Sequence, residues 1–182
     1  MQANIAIGLL ETSSIARGVE ALDAMCKAAG VTPETAVSVS KGKYIIIISG
    51  PAGEVESSMA KGVEKAGDSV VSNYIIRNIH SGALAALNKK VKGAKAEAVG
   101  IVETKEALAA VFAADAAAKA AFVHVAEVNT GKGIGGKGFF TVTGEVGAVR
   151  TAVSAGVKAV GDGAVIARIV LPNAHEHVLE VI

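Results

Sequence analysis

The 182-residue chain carries 18 basic and 17 acidic side chains without like-charge blocks, for a formal net charge of +1, and so lacks the basic footprint of a nucleic-acid-binding protein. It is 51% hydrophobic but only 3% aromatic, so its core is built from Ala, Val, Ile and Leu, which disfavours pockets lined by aromatic rings. A single cysteine, Cys26, excludes an intrachain disulfide and suits a reducing compartment. No apolar run is long enough for a bilayer, so a soluble cytoplasmic protein without membrane or nucleic-acid partners is expected. A mean hydropathy of +0.47 in so small a chain predicts apolar surface buried between copies.

In chain order, the apolar run 5–10 predicts a buried strand, and Thr12-Ser13-Ser14 offers caps for a helix that runs to about Ala29 and stops at Gly30. Residues 37–39 and 44–48 predict two strands around the turn Ser40-Lys41-Gly42-Lys43. A second helix over 52–66 ends at Gly67, before a strand over 70–76. Then comes the basic stretch 88–95, which reads as a solvated linker. After it the pattern returns as elements over 98–102, 107–121, 123–128, 139–143, 146–160 and 164–170.

The return is a sequence repeat. Ile7-Gly8-Leu9-Leu10-Glu11-Thr12 is echoed by Val99-Gly100-Ile101-Val102-Glu103-Thr104, and Asp23 to Ala29 by Asp115 to Ala121, at an offset of 92. Gly42-Lys43 pairs with Gly136-Lys137 at an offset of 94, so the second copy holds two extra residues between Lys119 and Gly136, expected in a loop. The repeated order βαββαβ predicts an α+β chain of two tandem ferredoxin-like domains, over 1–90 and 95–182.

Gly131 to Gly138 matches a dinucleotide-binding pattern and most of a phosphate loop. It lacks the Ser or Thr after Lys137, and a strand follows where phosphate binding needs a helix N-terminus, so it reads as a glycine-rich turn. No acid, base and nucleophile set indicates an enzyme. His175-Glu176-His177 offers at most a weak surface metal contact. Glu11 and Glu103 stand where a carboxylate can accept from free helix amides, and Cys26 reads as a small buried hydrophobe because the second copy has Ala118 there.

The boxes holding Gly8, Glu11, Thr12, Asp23 and Lys27, repeated as Gly100, Glu103, Thr104, Asp115 and Lys119, resemble the bacterial microcompartment shell domain, twice over essentially the whole chain. The resemblance is closest to the tandem-domain trimers of the propanediol-utilisation iron-sulfur type. It implies a structural shell protein, a homotrimer forming a pseudohexameric tile with other shell proteins as partners, and a central pore passing small polar metabolites. It also implies that Lys27 and Lys119 lie at the tile edge together with Asn78, His80, Asn173 and His175, the last four in a degenerate form of the family's partner segment. The pore would be lined by Ser40, Lys41, Gly42 and Lys43 and by Gly133, Ile134, Gly135, Gly136 and Lys137. Some members of that type hold an iron-sulfur cluster through a cysteine where Ser40 aligns. Ser40 is no soft sulfur ligand, so neither cluster nor other cofactor is expected. The alternative that the residues leave is a small-molecule-binding regulator on the same scaffold.

Overall fold

The computed structural model describes residues 5–92, 97–131, 133–175 and 178. They fall into two compact units, one through Ile79 together with 133–136, the other from His80 to Gly131 and from Lys137 onward.

In the first unit, β1 (Ala6–Thr12), α1 (Ile15–Ala28), β2 (Thr32–Ser38), β3 (Tyr44–Gly50), α2 (Ala52–Ala66) and β4 (Val70–Ile76) form an antiparallel sheet of order β2-β3-β1-β4. This is the split βαββαβ arrangement, with β3 inserted between β1 and β2. Every residue of β1 is buried, as are Ile45 to Ile48 of β3, so the sheet centre is covered on both faces. On the helix side Ala6, Leu10, Ile46 and Ile48 meet Ala21, Met25, Val55 and Met59. Each fully buried Ile, Leu or Met contributes about 1.5–3 kcal/mol. Ser58, buried in α2, donates its hydroxyl to the Met25 carbonyl at 2.9 Å and so locks the two helices together.

The Ser14 hydroxyl accepts from the Arg17 amide at 3.4 Å and caps α1, as its residue type predicts. The other end departs from expectation. Ala29 is already extended at φ −158°, and the Val31 amide reaches back to the Ala29 carbonyl at 2.9 Å, so the chain enters β2 without a left-handed Gly30. Gly67, at φ 54°, does close α2 by donating its amide to the Val63 carbonyl. Strand β2 is longer than its apolar residues suggested; an edge position and a bulge between Pro33 and Thr35 accommodate the proline.

The second unit repeats this plan in β5 (Ala98–Thr104), α4 (Ala109–Ala120), β6 (His124–Asn129), β7 (Gly138–Gly144), α5 (Val146–Val160) and β8 (Val165–Pro172), with sheet order β6-β7-β5-β8. Val37 lies opposite Ile45 and Asn129 opposite Phe139, so the offset of 92 survives to the end of β6, and the two extra residues fall in the loop before β7. The copies conserve volume by exchange. Gly18 of α1 faces Tyr44, where a Cβ would stand 2.6 Å from the ring, whereas its counterpart Ala110 faces Gly138, where a Cβ would stand 2.7 Å from Ala110 Cβ. Both carboxylate oxygens of Glu145 accept amides of the first turn of α5, from Gly147 at 3.0 Å and Ala148 at 3.1 Å, and these bonds hold its carboxyl below the usual range.

Two features of the second unit differ from the sequence reading. Helix α3 (Ser81–Ala86), capped by His80 Nδ1, packs on β6 and α4. The basic stretch after it is tied down where it is described. Asn88, at φ 57°, donates its amide to the Val128 carbonyl at 2.7 Å and accepts from the Thr130 hydroxyl at 2.7 Å. Val91 donates to the Ala126 carbonyl at 2.7 Å. Backbone groups along the edge of β6 thus anchor the stretch, while Asn88, Lys89, Lys90 and Lys92 stay exposed as a solvated linker requires, and Gly93, Ala94 and Lys95 lie outside the described residues. Among the described residues no helix is long and apolar enough to cross a membrane.

Candidate functional site

The hairpin between β2 and β3 turns through Lys41 and Gly42, both left-handed at φ 65° and 71°, and closes with the Val39 amide on the Lys43 carbonyl at 2.9 Å. Only Gly42 adopts that conformation without strain. The anchor of the turn is electrostatic. Lys43 Nζ sits 2.7 Å from Glu11 Oε1, with the Glu11 side chain fully buried and that of Lys43 only 17% exposed. The Ser72 hydroxyl lies 3.4 Å from the second oxygen of Glu11, and Lys43 also donates to the Gly136 carbonyl at 3.3 Å.

Of the expected pore residues, Ser40, Lys43 and Gly136 are therefore brought together in the first unit. Gly136 is buried at φ 75°, and a Cβ on it would come within 3.0 Å of the Ser40 carbonyl. Gly133 and Gly135, also left-handed, are exposed, Ile134 is half-buried, and Lys132 lies outside the described residues. Strand β7 follows this segment, as the turn reading requires. Lys137 repeats the anchor of Lys43, donating to Glu103 at 3.0 Å, but this pair is 44% and 34% exposed.

These pairs correct the reading of the two glutamates as helix-end acceptors: their carboxylates take up lysines from the starts of β3 and β7. They also change the electrostatics of the turn. The charge of Lys43 is committed to a buried carboxylate, whereas Lys41 is exposed and makes no ion pair among the described residues. The signal was present in the sequence, because Glu and Lys recur in both copies at the ends of strands that pair.

The expected edge residues divide unevenly. Lys27 pairs with Asp23 at 2.6 Å on the open surface, at 74% and 60% exposure. Lys119 pairs with Asp115 at 2.5 Å, but Asp115 is buried and accepts the His80 amide at 2.7 Å through its other oxygen. Asp115 thus joins His80 and Lys119, a residue the sequence reading had not placed in the site. Asn78 is exposed; Asn173 turns the chain at φ 51° and donates its amide to the Glu97 carbonyl at 2.7 Å; His175 is exposed. Glu176 and His177 lie outside the described residues. Cys26 is exposed on α1, contrary to its reading as a buried hydrophobe, although its counterpart Ala118 is buried.

Two ferredoxin-like units in one chain, each with a lysine-anchored turn and an aspartate-paired lysine on its first helix, define a tandem-domain α+β protein of one repeated module. The family model of the BMC domain matches residues 6–79 and again 98–174, and the chain belongs to that family. It is 40% identical over 172 residues to the bacterial microcompartment shell protein PduT of Citrobacter freundii, covering 94% of each chain. A crystal structure of a microcompartments protein from Desulfitobacterium hafniense superimposes with a TM-score of 0.84 at 41% identity, over 98% of this chain and 99% of that one. The carboxysome shell protein CcmK2 of Thermosynechococcus vestitus matches a single copy, 40% identical over 80 residues, 42% of this chain and 78% of its own.

Proposed function

We propose that three copies of this chain form a pseudohexameric tile of a bacterial microcompartment shell, with the turns at Ser40 to Lys43 around a central aperture. The chain is a structural shell protein. Its family membership over both copies and its full-length likeness to a shell protein favour that role over a small-molecule-binding regulator. Other shell proteins are its partners, and the shell is its location. The tile has no catalytic task in this reading, and the edge residues Lys27, Lys119, Asn78, His80, Asn173 and His175 serve tiling and packing.

The observation that carries the pore assignment is the division of labour between the two lysines of the first turn. Buried Glu11 fixes Lys43 and thereby the backbone of the turn, leaving Ser40 and the exposed Lys41 to face whatever passes. Three such turns about one axis would focus positive potential and favour small polar or anionic metabolites. The loop 133–137 of the second copy carries no oxygen-bearing side chain and would supply backbone amides instead.

Substitution separates charge from size. Lys41→Asn tolerates the left-handed backbone and removes the charge. Shells assembled with it are expected to pass a small anion several-fold more slowly while passing a neutral solute of the same size unchanged. Ser40→Phe is expected to slow both. Unchanged flux of both solutes with both variants would remove these turns from the pore.

A further inference from the structure

Strand β8 is an edge of the second sheet, and α5 packs alongside it. Between them lies a cleft of about 360 Å³, lined by Arg150, Val153 and Ser154 of α5 and by Arg168, Ile169 and Val170 of β8. Register and helix spacing bring the two arginines to it. Arg168 lies opposite Val102, the repeat counterpart of Leu10, which faces the helices of its own unit. Arg150 and Ser154 stand one turn apart on one face of α5.

The fold makes little use of these polar groups. Neither the Arg150 guanidinium nor the Ser154 hydroxyl makes a hydrogen bond or ion pair among the described residues, whereas the neighbouring Thr151 donates its hydroxyl to the Gly147 carbonyl at 3.0 Å. Arg168 donates from Nη1 to Asp162 at 2.8 Å, but the two side chains are 56% and 85% exposed, so the pair holds the arginine weakly.

The first copy serves as an internal control. At the repeat positions of Arg150, Ser154 and Arg168 it has Glu56, Ala60 and Asn73. Glu56 there accepts from Arg77 Nε at 2.7 Å. The same helix and edge strand therefore form with an acid and no cation at these three places, and the module does not require the arginines of the second copy.

We infer that the cleft between α5 and β8 binds an organic phosphate monoester. Its phosphoryl oxygens would lie on Arg150, Arg168 and the Ser154 hydroxyl, and its carbon skeleton along Val153, Ile169 and Val170. Each guanidinium is a planar fork that matches two oxygens. A phosphoryl group, with three terminal oxygens and nearly two negative charges, fits two forks and a hydroxyl better than a carboxylate does. The aliphatic wall and a volume in the range of small-ligand sites call for a carbon body behind the head group. All of these residues belong to one unit, so the site stands independently of the tile.

Isothermal titration calorimetry of the full-length protein with butyl phosphate, inorganic phosphate and butyrate tests this. Butyl phosphate is expected to bind at one site per chain, at least about tenfold more tightly than either of the others. Arg150→Gln and Arg168→Gln should each weaken it at least about tenfold while the fold persists by circular dichroism, because both side chains are exposed. Asp162→Asn should tighten it several-fold by releasing Arg168. Lys158→Gln removes an exposed cation of α5 that does not line the cleft and should change the affinity by less than about twofold. Butyl phosphate binding no tighter than inorganic phosphate, or equal weakening by Lys158→Gln and Arg150→Gln, would reduce the cleft to a patch of surface charge and overturn the inference. Two sites per chain, or no saturable binding, would overturn it as well.

Discussion

Lys43→Met is expected to destabilise the first unit by about 3–5 kcal/mol, because it takes away the cation that stands 2.7 Å from the fully buried carboxylate of Glu11. The methionine keeps the length and apolar contacts of the lysine stem, so the loss reports the charge. Adding Glu11→Gln to Lys43→Met should recover much of it, since the group left behind is then neutral. The second copy supplies the control. Lys137→Met removes the same kind of partner from Glu103, but that pair is partly exposed and is expected to cost only about 0–1 kcal/mol. Thermal melts of the three variants against the parent chain decide the matter. Equal losses for the two lysines would mean that burial of Glu11 is not what anchors the first turn.

Gly100→Ala is expected to cost about 2–3 kcal/mol and to exceed Gly8→Ala, although the two glycines are repeat counterparts. A Cβ at Gly100 would meet Val153 Cγ2 at 2.6 Å, Val149 Cγ1 at 2.8 Å and Val142 Cγ2 at 3.0 Å. All three neighbours are β-branched and stiff about χ1, so β5 and α5 must move apart. At Gly8 the nearest atoms are Met59 Cγ at 2.6 Å and Sδ at 2.7 Å, with Ile48 Cγ1 at 2.9 Å. The methionine can change rotamer, which limits that loss to about 1–2 kcal/mol. Melting temperatures of the two variants under identical conditions test the order, and a larger loss at Gly8 would contradict it.

Where local chemistry punctuates the chain, the sequence was legible to the residue. Helix α2 over 52–66, strand β4 over 70–76 and helix α5 over 146–160 fall as expected, because Pro51, Gly67, Glu145 and Gly161 mark their ends. Where tertiary contacts decide, it was not. Gly30 looks like a helix stop, but the chain leaves α1 in an extended conformation one residue earlier to reach the sheet edge. Helix α3 is six residues long, with a glycine at its second position, and no periodicity announces it; its packing on α4 and β6 holds it in place.

The candidate site divides in the same way. The turns were found from glycine and lysine spacing, which are local signals. The partners of Lys43, Lys137 and His80 lie 32, 34 and 35 positions away, so only the register of the strands and the packing of α4 reveal them. Cys26 shows the limit most clearly. Periodicity puts it on an apolar stripe, as it does Ala118, but whether a stripe is covered depends on a segment elsewhere in sequence.

Native mass spectrometry of the full-length chain tests the tile most directly. A single dominant species of three chains, persisting upon dilution to micromolar concentrations, is the expected result. A monomer or an isologous dimer under the same conditions would contradict it.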